Sequence, residues 1–267
     1  MRSVAVITGL ALAVGGLAYQ MQPLEATAAK RKPAGKVSFY KGTVQRSRSK
    51  KGPWKKLKRG KPFYKGDYIR TKTKSRVELR FRDRSVVRLG PKTTLQLKEA
   101  SFAGKQKKKV SGLVKAGRAW ANVHKYVSGK AAFDLRTENA VAGVRGTVFS
   151  MATGTTGTKI NVWAGQVAVN NSPYVQAMQN RTETPAHRRT SKAPINFGGR
   201  KAVTFKANEI SAEQWETMVG AMQTVAVGPD GKQSAVASFT EEEASQGEDA
   251  EWISWNRDLD KASGIEH

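Results

Sequence analysis

The residue types that carry most enzymatic chemistry are scarce in this chain. Cysteine is absent, which removes thiol nucleophiles, thiolate metal sites, disulfides and lipid attachment through a cysteine. The histidines are His124, His187 and His267, and none has a second histidine or a carboxylate at metal-ligand spacing. No serine or threonine lies in a nucleophile-elbow context, and no glycine-rich loop could cradle phosphate. Asp83 and Asp134, the nearest carboxylate pair, flank separate hairpins with no geometric reason to meet as an acid–base couple. These residues predict a non-enzymatic chain without cofactor or metal. What remains is cationic and aromatic chemistry. Residues 46–61 hold nine Lys or Arg, with Trp54 between Pro53 and Lys55. Trp54 with Lys50, Lys51, Lys55, Lys56 and Arg59 is the candidate contact for a polyanion or glycan, a stacking surface ringed by charge. The alternative is that Trp54 packs on the core edge and the lysines are solvated. Lys105 to Lys109 makes a second basic tip, read as a solvated loop.

Charge is abundant and unevenly spread. The chain of 267 residues has a formal net charge of +26. From Ala207 onward there are 13 acidic and 3 basic residues, so the preceding part carries all of the excess and more. A body this basic attracts polyanions over roughly ~8 Å at physiological salt. Anionic envelope polymers such as lipopolysaccharide and peptidoglycan, anionic lipid, and nucleic acid all fit; a generically basic surface with no partner fits as well. Nucleic acid is disfavoured, because aromatic residues are sparsely interleaved with the basic ones.

The first residues bear on location. Met1-Arg2 precedes an uncharged run from Ser3 to Tyr19, and Ala26-Thr27-Ala28 offers small residues for a signal peptidase. Residues 1–28 therefore read as a secretory signal peptide, or as an uncleaved anchor. The positive trio Lys30-Arg31-Lys32 opposes translocation. The expected location is the periplasm or cell surface.

The elements that must position the candidate residues read as short strands. Residues 29–36 are expected to be a basic linker. Val77, Leu79 and Phe81 then alternate with Glu78, Arg80 and Arg82, the period of two that puts apolar side chains on one sheet face. After the Asp83-Arg84 turn, Val87 and Leu89 face in; Gly90-Pro91 breaks the strand, and Leu95 and Leu97 face in again. Further strands are read at 113–114 and 119–123, which flank Gly117, and at 133–136, 148–151, 160–163 and 167–169. Residues 171–200 read as a long insertion. Ser211-Ala212-Glu213-Gln214 has the pattern of a capping box, and Trp215, Met218, Val219 and Met222 recur at helical spacing, so a helix is expected near 212–224. Residues 228–250 are expected to be disordered. Glu251 to Lys261 could form a short helix with Trp252, Trp255 and Leu259 on one face, and this acidic, tryptophan-bearing tail could dock on the basic body.

Three stretches, in order and spacing, resemble the FecR domain family. They are Leu57 to Thr71 with Gly60, Gly66-Asp67 and Ile69; Ser75 to Phe81 followed by Asp83 to Thr93, including Arg88-Leu89-Gly90-Pro91; and Thr137 to Phe149, ending Val144-Arg145-Gly146-Thr147-Val148-Phe149. Gly165-Gln166-Val167-Ala168-Val169 is similar to the family's closing segment. Arg84 stands where the family has a turn glycine, which disfavours a type I′ turn, because that geometry needs positive φ twice. Gly66, Asp67, Asp83, Gly90, Arg145, Gly146 and Thr147 are read as structural motif residues, although Arg145 could also offer its guanidinium to an anion.

The resemblance implies an all-β domain of short antiparallel strands, spanning 37–206 with the insertion, followed by an acidic, partly disordered region at 207–267 with one short helix. FecR itself relays an envelope signal to a sigma factor, and a membrane-protein partner is therefore a second expectation. Only two residues precede the apolar run, which favours the stand-alone exported form.

Overall fold

The computed structural model describes residues 31–103, 107–125, 132–171, 217–244 and 246–263. The signal-peptide reading, the 171–200 insertion beyond its first residue, the Ser211–Gln214 capping box, His187 and His267 lie outside them.

The architecture is all-β. Its strands are β1 Gly35–Lys41, β2 Val44–Ser47, β3 Lys55–Lys56, β4 Pro62–Phe63, β5 Tyr68–Thr71, β6 Arg76–Phe81, β7 Val86–Leu89, β8 Thr94–Ala103 and β9 Lys107–Asn122. There follow β10 Ala132–Arg136, β11 Ala140–Val144, β12 Val148–Gly154, β13 Gly157–Ala164, β14 Val167–Asn171, β15 Thr217–Val219, β16 Gln223–Val227 and β17 Ala237–Ser238. Among the described residues, two α-helices follow, α1 Glu241–Ala244 and α2 Ala250–Ala262. Sheet A runs β4-β1-β6-β7-β9-β12-β13-β16-β17. Sheet B runs β3-β2-β5-β8-β9-β10-β11-β14-β15. Pairing is antiparallel except between β9 and β10.

β9 belongs to both sheets. Its first part pairs with β8 and β10, and from Gly117 onward it pairs with β12 and then β7. Gly117, which reads in the sequence as a break between two strands, is a bend inside one strand, at φ +89°. The core lies between the inner faces. Val77, Leu79, Phe81, Val87, Leu89, Leu95 and Leu97 are all buried in it, on the face that their alternation predicts.

Three expectations need correction. The 29–36 linker ends early: Gly35 and Lys36 lie between β4 and β6, and Ala34 is buried. A side chain at Gly35 would put Cβ 2.2 Å from the Arg80 carbonyl, so the glycine serves close strand packing. The expected helix near 212–224 is, over its described part, the β15–β16 hairpin, with Met222 in the turn at φ +57°. Val219 is buried and Met218 is 53% exposed, so period two wins over the helical spacing. Residues 228–250, expected to be disordered, are placed from 228 to 244 and again from 246: Gln233 bridges to Val227, β17 pairs with β16, and α1 begins in a reciprocal cap. The Glu243 amide donates to Thr240 Oγ1 at 3.1 Å, and the Thr240 amide donates to Glu243 Oε2 at 2.7 Å.

The turn after β6 is, as expected, not type I′: Arg84 alone among residues 82–85 has positive φ, +75°. Its amide donates to the Phe81 carbonyl at 3.2 Å, and the Phe81 amide donates to that of Ser85 at 2.9 Å. Asp83 steadies the loop by accepting from the Ser85 amide at 3.0 Å. A left-handed L-residue costs about 1–2 kcal/mol, and glycine's extra backbone entropy costs about 0.5–1. Arg84→Gly should therefore raise stability by about 0.5–1 kcal/mol. An upward shift of the urea midpoint with an unchanged slope would register it.

Candidate functional site: a cationic tip and a tryptophan–arginine face

The basic tip is formed by β2, the loop after it, and β3, which pairs with β2 through Gln45–Lys56 and Arg46–Lys55. Lys50, Lys51, Lys55, Lys56 and Arg59 are all exposed, whereas Leu57 is buried and pins the segment to the core. Trp54 is half-buried and belongs to neither hydrophobic cluster. The Arg70 guanidinium lies 3.8 Å from the centroid of its ring, and Arg70 Nε donates to Gln45 Oε1 at 2.9 Å. Cation–π contact thus holds the indole at the surface among five exposed cations.

The motif residues lie at turns. Gly66, at φ +85°, donates its amide to the Leu97 carbonyl at 2.7 Å. The buried Asp67 carboxylate accepts from the Tyr64 amide at 2.9 Å. The Gly90 carbonyl accepts from Thr71 Oγ1 at 2.5 Å. Gly146 is at φ +65°, and Thr147, fully buried, donates to the Gln166 carbonyl at 2.8 Å, which ties the loop before β12 to the one before β14. Arg145 is exposed. Asp83 and Asp134 serve different turns and strands. Asp134 accepts from Ser111 Oγ and from Arg136 Nε, each at 2.6 Å. His124 is exposed, and its amide donates to Ser85 Oγ.

The most organised side-chain network lies elsewhere, on the outer face of sheet A. Cross-strand register sets Glu78 beside Arg88, Arg88 beside Trp120, and Trp120 beside Ser150. By alternation alone these side chains should face water. Instead α2 covers them, and Trp252 and Ile253 pack on Trp120 and Val148. The acidic, tryptophan-bearing tail therefore does dock on the basic body. Arg88, 1% exposed, donates Nε to Glu78 Oε2 at 2.8 Å and Nη1 to Asp260 Oδ1 at 2.7 Å. Trp120 Nε1 donates to the other Asp260 oxygen at 2.9 Å, and Ser38 Oγ donates to Glu78 Oε1 at 2.5 Å. At the rim, Arg76 pairs with Glu251 at 2.5 Å, and Arg118 pairs with Asp249. Trp255 stacks on Trp252 at 5.3 Å and meets Phe39 at 5.6 Å.

Sequence reading missed Glu78, Arg88 and Trp120 as a unit. Alternation identifies their face, but only the amphipathic stretch with Trp252 and Trp255 hints that something covers it. Burial alone would raise the pKa of Glu78. Hydrogen bonds from Ser38 and Arg88, the charge of Arg88, and a further bond from Arg80 outweigh it, and the carboxyl ends below its usual range. A carboxylate lowered in the folded state contributes stability above its unfolded pKa, about 4.3, and loses that contribution as pH falls through the folded value. Stability should therefore decline below about pH 4.5, and Glu78→Gln should flatten that decline. Urea midpoints between pH 3 and 7 would measure both slopes.

Comparison with known proteins gives a family match over part of the chain. Residues 67–168 match the family model described as FecR protein. An uncharacterized protein of Treponema pallidum (strain Nichols) is 33% identical over 116 residues, which is 43% of this chain and 17% of that protein. Two crystal structures of a candidate anti-sigma factor from Parabacteroides distasonis ATCC 8503 align at 14% identity and a TM-score of 0.41, over 67% of this chain and 61% of that one.

Proposed function

We propose, from the FecR domain that residues 67–168 form, that this chain is an exported, non-catalytic protein that binds or scaffolds an anionic or glycan component of a bacterial cell envelope. The observation that carries the reading is the tip itself: Lys50, Lys51, Lys55, Lys56 and Arg59 are exposed around a half-buried indole held by Arg70. A carbohydrate ring stacks on such an indole, and phosphate or carboxylate groups along a polymer meet the surrounding cations. The excess of basic residues before Ala207 supports the same reading through long-range attraction.

The test is capture on isolated peptidoglycan and on lipopolysaccharide across a salt series. Neutralising the five tip cations to glutamine should reduce the slope of the salt dependence, since the number of displaced counterions sets it. Trp54→Ala should weaken glycan capture by roughly tenfold, the ~1.4 kcal/mol of one strong contact, and lower stability by less than about 1 kcal/mol. Equal losses in both would assign Trp54 to packing and sink the glycan reading. The second reading is a regulator that relays an envelope signal to a membrane protein or sigma-factor system, and the family match supports this reading, whereas the envelope-binding reading rests on the tip and the charge. No envelope capture at about 50 mM salt, together with a specific membrane-protein partner, would favour that reading.

A further inference from the structure

We propose that the outer face of sheet A is a docking surface for acidic amphipathic helices, and that α2 is its resident, displaceable occupant. The face offers three arginines from three strands, Arg76 on β6, Arg88 on β7 and Arg118 on β9. The C-terminal segment answers each with one carboxylate, Glu251, Asp260 and Asp249 respectively. Between them, Trp252 and Ile253 fill the apolar strip made by Trp120 and Val148. Glu251 and Asp260 are about two and a half turns apart on one helix, so the surface reads a helix with two carboxylates bracketing an aromatic–aliphatic pair.

Several features make this occupant a weak one. Asn256, a residue of α2 itself, is fully buried, and its Oδ1 has no hydrogen-bond partner, a cost that a better-fitted helix would avoid. Asp249 supplies no side-chain cap to the helix. Two of the three ion pairs lie at the rim, where the Glu251 side chain is 81% exposed and that of Asp249 is 47% exposed, and salt screens such pairs. Just upstream, the chain is held to sheet A by the two-residue strand β17 at its edge. A partner helix of the same chemistry that also satisfies Asn256's position would compete, and the apparent affinity would scale with the fraction of molecules whose own α2 is undocked.

The test uses the full chain and a fluorescent peptide of residues 249–263. Asp249→Asn, Glu251→Gln and Asp260→Asn together weaken the resident helix and leave the face intact. The triple variant should bind the peptide at least about tenfold more tightly than the unaltered chain at low salt, and the gain should vanish in high salt. Equal affinity for both proteins, or no binding to the variant, overturns the proposal. Dimerisation of the variant without peptide also overturns it, since the surface would then belong to a second copy's helix. Hydrogen exchange on the unaltered chain decides the matter if the variant does not fold. Amides of α2 should exchange at least about a hundredfold faster than those of β7 and β9, by local opening. Exchange of all three at one rate would mean that α2 leaves only when the whole domain unfolds, and the proposal fails.

Discussion

Arg88→Met is expected to lower the stability of the folded body by about 3–5 kcal/mol, the cost of breaking a buried ion pair from one side. The arginine is 1% exposed and stands between two carboxylates, Glu78 at 2.8 Å and Asp260 at 2.7 Å. Methionine fills much of the same volume, so the loss would come from the two carboxylates losing their shared buried cation, not from a cavity. Glu78 would keep Ser38 and the half-exposed Arg80 as donors, whereas Asp260 would keep only the uncharged Trp120 indole. Urea denaturation of the variant would give the loss. The electrostatic origin is separable: Arg88→Met combined with Glu78→Gln and Asp260→Asn should recover a large part of the stability, because neutral amides tolerate the site without a cation. A triple variant as unstable as the single one would mean that Arg88 acts through packing, and that the ion network contributes little.

The same network marks where sequence reading stops. Val77, Leu79 and Phe81 alternate with polar neighbours, and their inward face follows from that alone. Glu78 is on the opposite face by the same rule, and the rule sends it to water. It is buried because a helix far along the chain returns to cover it. Nothing local to β6 encodes that return; the only signal is the pair Trp252 and Trp255 in an acidic frame, which marks a face that needs a partner without naming the partner. The tip around Trp54 was legible as composition, but its geometry was not, because Arg70 comes from a different strand. The stretch around Met218 and Val219 failed for another reason. The four apolar residues stand at i, i+3, i+4 and i+7, a helical spacing that places them on both faces of a strand, and only the turn at Met222 and the pairing of β15 with β14 override it. The capping-box pattern that points to a helix at Ser211 recurs at Thr240 to Glu243, where the structure does begin one.

Gly117→Ala should lower stability by about 2–5 kcal/mol. Two independent terms lead there. The residue sits at φ +89°, which an L side chain rarely adopts. The added Cβ would also lie 2.3 Å from Thr93 Oγ1 and 2.7 Å from Thr93 Cα. Thr93 cannot move aside freely: its hydroxyl receives the Arg118 amide at 3.0 Å, and its own amide donates to Thr71 Oγ1 at 2.9 Å. The site is also where β9 passes from sheet B to sheet A, so a shift there disturbs the pairing of Ala116 with Thr94 on one side and of Arg118 with Ala152 on the other. Gly154→Ala, where nothing lies within 4 Å of the added atom, is the control and should change stability by no more than about 0.5 kcal/mol. If the Gly117 variant unfolds at the same urea concentration as that control, β9 does not need its bend. The sheets would then be held together by the core between them, and not by the strand they share.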